Sequence, residues 1–107
     1  MGLELTVLGS GNYAPGRGKQ ARNPSGYAVR AGSSLLLLDL GFGNVRQLAR
    51  AGFRPEQVTD LFLTHVHPDH TGDLPALLFH LRYAKDKPER LRVWGPTGLK
   101  ALVSALC

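Results

Sequence analysis

The chain has 107 residues, enough for one compact domain and too few for two. Its 43% hydrophobic and 20% charged residues are ordinary globular composition and exclude an intrinsically disordered segment. Thirteen Lys and Arg against eight Asp and Glu give a net charge of +5, which favours anionic partners such as phosphodiesters, although a solvated basic surface without a partner would carry the same charge. The lone cysteine, Cys107, allows no internal disulfide and no Cys-rich metal site, as in a cytoplasmic chain. No apolar run approaches the roughly 20 residues of a membrane span. The first ten residues lack the basic-then-apolar layout of a signal peptide, so no membrane partner is expected.

Leu3 to Leu8 (LELTVL) has near-alternating branched and apolar residues cut off by Gly-Ser-Gly, the pattern of a strand entering a turn. From Gly9 to Gly26 there is no apolar periodicity, and Gly11, Pro15, Gly16, Gly18 and Pro24 interrupt the segment, so a long loop is expected. Tyr27 to Ala31 and Leu35 to Leu40 flank Gly-Ser-Ser and form a hairpin, whose second arm (LLLLDL) is apolar enough to be a central strand covered on both faces. Asn44 to Ala51 reads as a short helix with Asn44 as N-cap and Gly52 as stop. Leu61 to Thr64 is the next strand.

Leu74, Leu77, Leu78 and Leu81 fall at i, i+3, i+4 and i+7, so a helix is expected from Asp73 to Tyr83, with Pro75 in its first turn. Asp73 itself reads as a residue favoured by that helix's dipole. "AKDKPER" is a polar turn and "LRVWG" a strand whose Trp94 should be core. Leu99, Leu102, Val103 and Leu106 mark one face of a last helix. That stripe runs to the end of the chain without a stop signal, as in one partial domain, 1–107, that is half of a larger fold. No internal repeat or second domain is visible.

The chemistry is concentrated in "THVHPDH", which holds His65, His67, Asp69 and His70. Residues i and i+2 of an extended chain point to one side, so His65 and His67 converge. Pro68 keeps His67 extended and turns the chain, delivering Asp69 and His70 as a second pair. Imidazole nitrogen with carboxylate oxygen suits zinc, or manganese or iron, and not calcium, which prefers oxygen alone. Two adjacent pairs suggest two metals and hydrolysis of an ester, with phosphodiesters well suited. A polar histidine loop with Asp69 capping the next helix is the plain alternative. Two nucleotide motifs are absent: Pro15 and Gly16 follow Gly9, Gly11 and Ala14, leaving no helix start for a pyrophosphate. "GRGKQ" also lacks the hydroxyl residue that a P-loop needs after Lys19.

"THVHPDH", preceded by "LLLLDLG", resembles the metallo-β-lactamase superfamily of αββα metallohydrolases. The resemblance implies an α/β fold, here the N-terminal half of a four-layer αββα domain with a mixed sheet and flanking helices. It also implies that His65 and His67 bind one zinc ion and Asp69 and His70 a second, with further ligands from elsewhere. Asp39 matches the family's DxG aspartate, whose expected role is to orient the histidine loop; a turn-forming Asp before Gly41 is the other reading.

The loop resembles that of the ribonuclease Z group, with Pro15, Lys19, Arg22 and Asn23 matching in order at looser spacing. "HPDHTGDLPALL" departs from the group's usual glycine before the aspartate, and "DLGFGNVRQL" lacks its acidic residue after DxG. The resemblance implies an endoribonuclease acting on tRNA precursors at their 3′ ends, with Asp69 as ligand and proton acceptor. Arg17, Lys19 and Arg22 are candidates for holding a phosphate backbone. The alternatives are a hydrolase of a small ester, thioester, lactone or sulfate ester, and a non-catalytic metal-binding or assembly module. Expected partners are RNA or a small anionic ester, the C-terminal half of the fold, and a second copy of the chain.

Overall fold

The computed structural model describes residues 2–14, 16–84 and 91–106. Five strands form one mixed sheet in the order β1-β2-β3-β4-β5: β1 Leu3–Gly9, β2 Gly26–Ala31, β3 Ser34–Leu38, β4 Asp60–Phe62 and β5 Arg92–Trp94. The first three pair antiparallel and the last two join in parallel. The helices are α1 Asn44–Arg50, the single turn α2 Pro68–Thr71, α3 Leu74–Tyr83 and α4 Leu99–Leu106. The expected strands, the hairpin and three longer helices are present. The expected turn around residues 85–90 lies outside the described residues.

Alternation along each strand builds two unlike rows of side chains across the sheet. One row runs Thr6, Ala28, Leu37, Leu61, Val93, and Ala28, Leu37 and Leu61 in it have no exposed surface. Leu48 of α1 and Leu74, Leu77 and Leu81 of α3 belong to the same core, and Leu99, Leu102 and Val103 of α4 pack against it. The neighbouring row runs Val7, Tyr27, Leu38, Phe62, Trp94 on the opposite face, where Val7 is 54%, Leu38 38% and Trp94 52% exposed. Two expectations are corrected by this. β3 is central in the sheet but buried on one face only, and Trp94 is a surface residue stacked on Phe62 with ring centroids 6.0 Å apart. Both differ for one reason: the helices cover a single side.

Two further expectations change at helix ends. Asn44 begins α1 but does not cap it; its fully buried Nδ2 donates to the carbonyls of Pro24 and Ser25, each at 3.0 Å, and Gly43 holds the cap position. The α1 N-terminus receives instead the Asp73 carboxylate, which accepts from the Val45 N–H at 2.8 Å. Asp73 therefore stabilises a helix other than the one it precedes. The Asn44 contacts hold the end of the loop at Pro24 and Ser25. Ser25 O also accepts from Gly41 N at 3.1 Å, so the loop's end is tied to the segment carrying Asp39.

Candidate metal centre

The site is assembled where the chain leaves β3 and β4, two parallel neighbours. After Leu38 the backbone turns sharply, and Asp39 takes φ 59, the left-handed region that Asp tolerates better than most residues. This ends β3 two residues before the expected Leu40. Asp39 is held by its own N–H donating to Phe62 O at 2.7 Å and by its carboxylate. Oδ1 accepts from the Thr64 N–H at 2.8 Å, while the Thr64 hydroxyl lies 3.0 and 2.9 Å from Oδ1 and Oδ2. Oδ2 also lies 2.9 Å from His70 Nδ1. The carboxylate is buried, and these contacts offset its desolvation.

Gly41 completes the same turn. A Cβ there would stand 2.5 Å from the carbonyl of Asp69 and 2.8 Å from the Pro24 side chain, so the Asp-x-Gly pattern is a close-approach requirement. Between them, Leu40 N donates to His70 O at 2.8 Å and Leu40 O accepts from Asp73 N at 3.1 Å, fixing the C-terminal end of α2.

His67 is extended at φ −65 and ψ 148 before Pro68, as the proline dictates. The rings of His65 and His67 have centroids 6.0 Å apart, and those of His65 and His70 4.6 Å. His70 Nε2 lies 3.4 Å from Asp69 Oδ2. His65 and His67 are exposed, whereas Asp69 and His70 are half-buried. The structure thus brings together His65, His67, Asp69 and His70 with Asp39 behind them. Among the described residues, no group of three or more His, Cys, Asp or Glu closes into a set able to hold one ion. His70 and Asp69 stand as one pair. Their chemistry fits a metal nonetheless: two donors about 2.1 Å from one tetrahedral ion lie about 3.4 Å apart, the His70 to Asp69 separation found here.

Arg17, Lys19 and Arg22 are exposed on the loop, and among the described residues none is hydrogen-bonded or ion-paired to the histidines. Pro15 lies outside the described residues. His80 is exposed and 2.8 Å from Glu56, away from the cluster. Backbone hydrogen bonding and the His80 contact hold the Glu56 carboxyl below its usual range. The residue missed in the sequence is Thr64, whose hydroxyl touches Asp39, His65 and His70. Its signal was a hydroxyl side chain directly before the first histidine.

Residues 21–105 match the sequence model of the metallo-beta-lactamase superfamily. The chain belongs to this superfamily. It is 34% identical over 100 residues to ribonuclease Z of Methanothermobacter thermautotrophicus, a match covering 94% of this chain and 31% of that protein. It is 33% identical over 102 residues to ribonuclease Z of Pyrococcus furiosus, covering 95% of this chain and 32% of the relative. Superposition on the crystal structure of human tRNase Z, short form, gives a TM-score of 0.79 at 28% identity, over 94% of this chain and 37% of that one. The metallo-beta-lactamase fold protein YhfI from Bacillus subtilis superposes over 100% of this chain and 42% of its own, with a TM-score of 0.82. At 24% identity that likeness concerns the fold alone. The chain spans about a third of the length of the curated superfamily relatives it matches, as an N-terminal portion of them. The resemblance to the ribonuclease Z group therefore holds across nearly the whole chain, despite the departures around DxG and the histidine loop.

Proposed function

We propose that this chain supplies the first ligands of a two-metal hydrolytic site and that the protein cleaves phosphodiesters in RNA, as an endoribonuclease of ribonuclease Z type acting at tRNA 3′ ends. The observation carrying this reading is the joint placement of His65, His67, Asp69 and His70, with the His70 and Asp69 donor atoms at one-ion separation. His65 and His67 would hold one zinc ion and Asp69 and His70 the other, with manganese or iron as substitutes and with the remaining ligands supplied from outside these residues. Bound metal would supply Lewis-acid activation of water and of the ester oxygens. The chain's own residues do the rest. Asp39 fixes the His70 ring through Nδ1, and Asp69, half-exposed beside His70, is placed to accept a proton from attacking water. Arg17, Lys19 and Arg22, exposed on a loop whose end is tied beside Gly41, would meet the phosphate backbone.

The same reading has the C-terminal half of the domain, with its second sheet, cover the row from Val7 to Trp94. Self-association is what that apolar row favours when it is left open. The test is made on the full-length gene product: transition-metal content, cleavage of a simple phosphodiester, and trimming of a tRNA precursor carrying a 3′ trailer. Bound metal with cleavage of both is the expected result. A protein that binds no transition metal would overturn the proposal. Metal with hydrolysis only of a thioester, lactone or sulfate ester would keep the hydrolase and remove the RNA substrate, and tight metal binding without turnover would favour a non-catalytic module.

A further inference from the structure

Thr64 stands at the centre of the site, and a hydroxyl has one proton to give. Its Oγ is 2.9 Å from Asp39 Oδ2, 3.0 Å from Asp39 Oδ1, 3.0 Å from His65 Nδ1 and 3.3 Å from His70 Nδ1. A carboxylate only accepts, so the threonine proton is directed to Asp39 and the hydroxyl's remaining capacity is as an acceptor. At 3.0 Å, His65 Nδ1 must then be the donor, because an unprotonated Nδ1 would set one lone pair against another. The same logic applies to His70, whose Nδ1 lies 2.9 Å from Asp39 Oδ2. Both neutral rings carry their proton on Nδ1, the tautomer that free imidazole side chains favour less, and both leave Nε2 as the open donor atom.

We propose that Thr64 is a positioning residue that sets the tautomer of His65, passing the acceptor character of Asp39 through its hydroxyl so that Nε2 of His65 is free to bind a cation. The two histidines nearest each other are thereby locked from one buried carboxylate, His70 directly and His65 through Thr64. His67 has no comparable partner among the described residues and serves as an internal reference. The purpose assigned to this device rests on the metal-site reading, but the tautomer itself does not.

The test records long-range ¹⁵N–¹H correlations of the imidazole nitrogens in the metal-free full chain at about pH 8, above the ordinary histidine range. Wild type is expected to show His65 and His70 protonated at Nδ1. Thr64→Val should move His65 to mainly Nε2–H and leave His70, still held by Asp39, in place; Thr64→Ser should restore the wild-type pattern. Titration with zinc alone should show apparent affinity falling at least about tenfold in the valine variant and recovering in the serine variant. His65 protonated at Nε2 in wild type would overturn the proposal even if the valine variant failed to fold. An unchanged His65 tautomer in a folded valine variant would do the same. Wild type with the expected tautomers but no affinity for zinc would support the tautomer assignment and defeat the metal reading instead.

Discussion

The two faces of the sheet differ by one residue in every strand. Leu37 and Leu61 are sealed under α1 and α3, while Leu38 and Phe62, each the next residue in its strand, look outward beside Val7 and the exposed Trp94. Both rows are apolar, so the difference comes from what covers them. A strand's alternation specifies that two faces exist, and helix placement selects the one that becomes core. The open row ends in a polar edge one register step away, where Arg92 pairs with Asp60 at 2.9 Å and Trp94 Nε1 donates to the same carboxylate at 3.4 Å.

The sharpest way to break this comparison is to truncate neighbours. Leu37→Ala should cost about 3 kcal/mol in urea unfolding, because it opens a cavity in a fully buried site. Leu38→Ala, one residue on, should cost less than about 1 kcal/mol; equal losses would mean that the outer row is covered. At the site joining the two faces, Asp39→Ala should cost about 2 kcal/mol by thermal unfolding. It strands the Thr64 and His70 donors and puts alanine at φ 59. Gly41→Ala should cost about 1 to 2 kcal/mol through collision with Asp69 O, and a neutral result would show that the turn can relax.

Smaller effects sharpen the open face. The Arg92 guanidinium holds the Asp60 carboxyl below its usual value of 3.8. A depressed folded-state value means that this contribution is fully present above the unfolded value and is lost as pH falls through the folded one. Wild type should therefore lose stability below about pH 4, and Asp60→Asn should flatten that acid limb in melts recorded from pH 6 to pH 2. Finally, Leu5→Lys, at a position 65% exposed on the open face, should leave the melting temperature nearly unchanged. It should reduce concentration-dependent association in sedimentation velocity; unaltered association would place any self-contact elsewhere.

Much of the site was legible because its signals are local. His65 and His67 stand two residues apart in one short segment, although β4 ends at Phe62 and not at the expected Thr64, and Pro68 sets the His67 backbone within one residue. Thr64 was missed, and Asp73 was assigned to the wrong helix, for the opposite reason. Thr64 is defined by a carboxylate 25 residues away in sequence, and Asp73 by the N–H of Val45 across 28 residues. Asn44 has helix-cap chemistry, but a fully buried amide finds stronger partners in the Pro24 and Ser25 carbonyls than at its own helix start.

The sequence alone determined the strands, the longer helices, the donor types and their order, because periodicity, proline and glycine act over a few residues. The tertiary structure decided which apolar row is buried, that Trp94 stays outside, and that one carboxylate at φ 59 meets both His70 and the Thr64 hydroxyl. Those outcomes depend on which surfaces and polar groups meet across long stretches of chain. Burial and hydrogen-bond saturation reward such meetings only after the chain has folded.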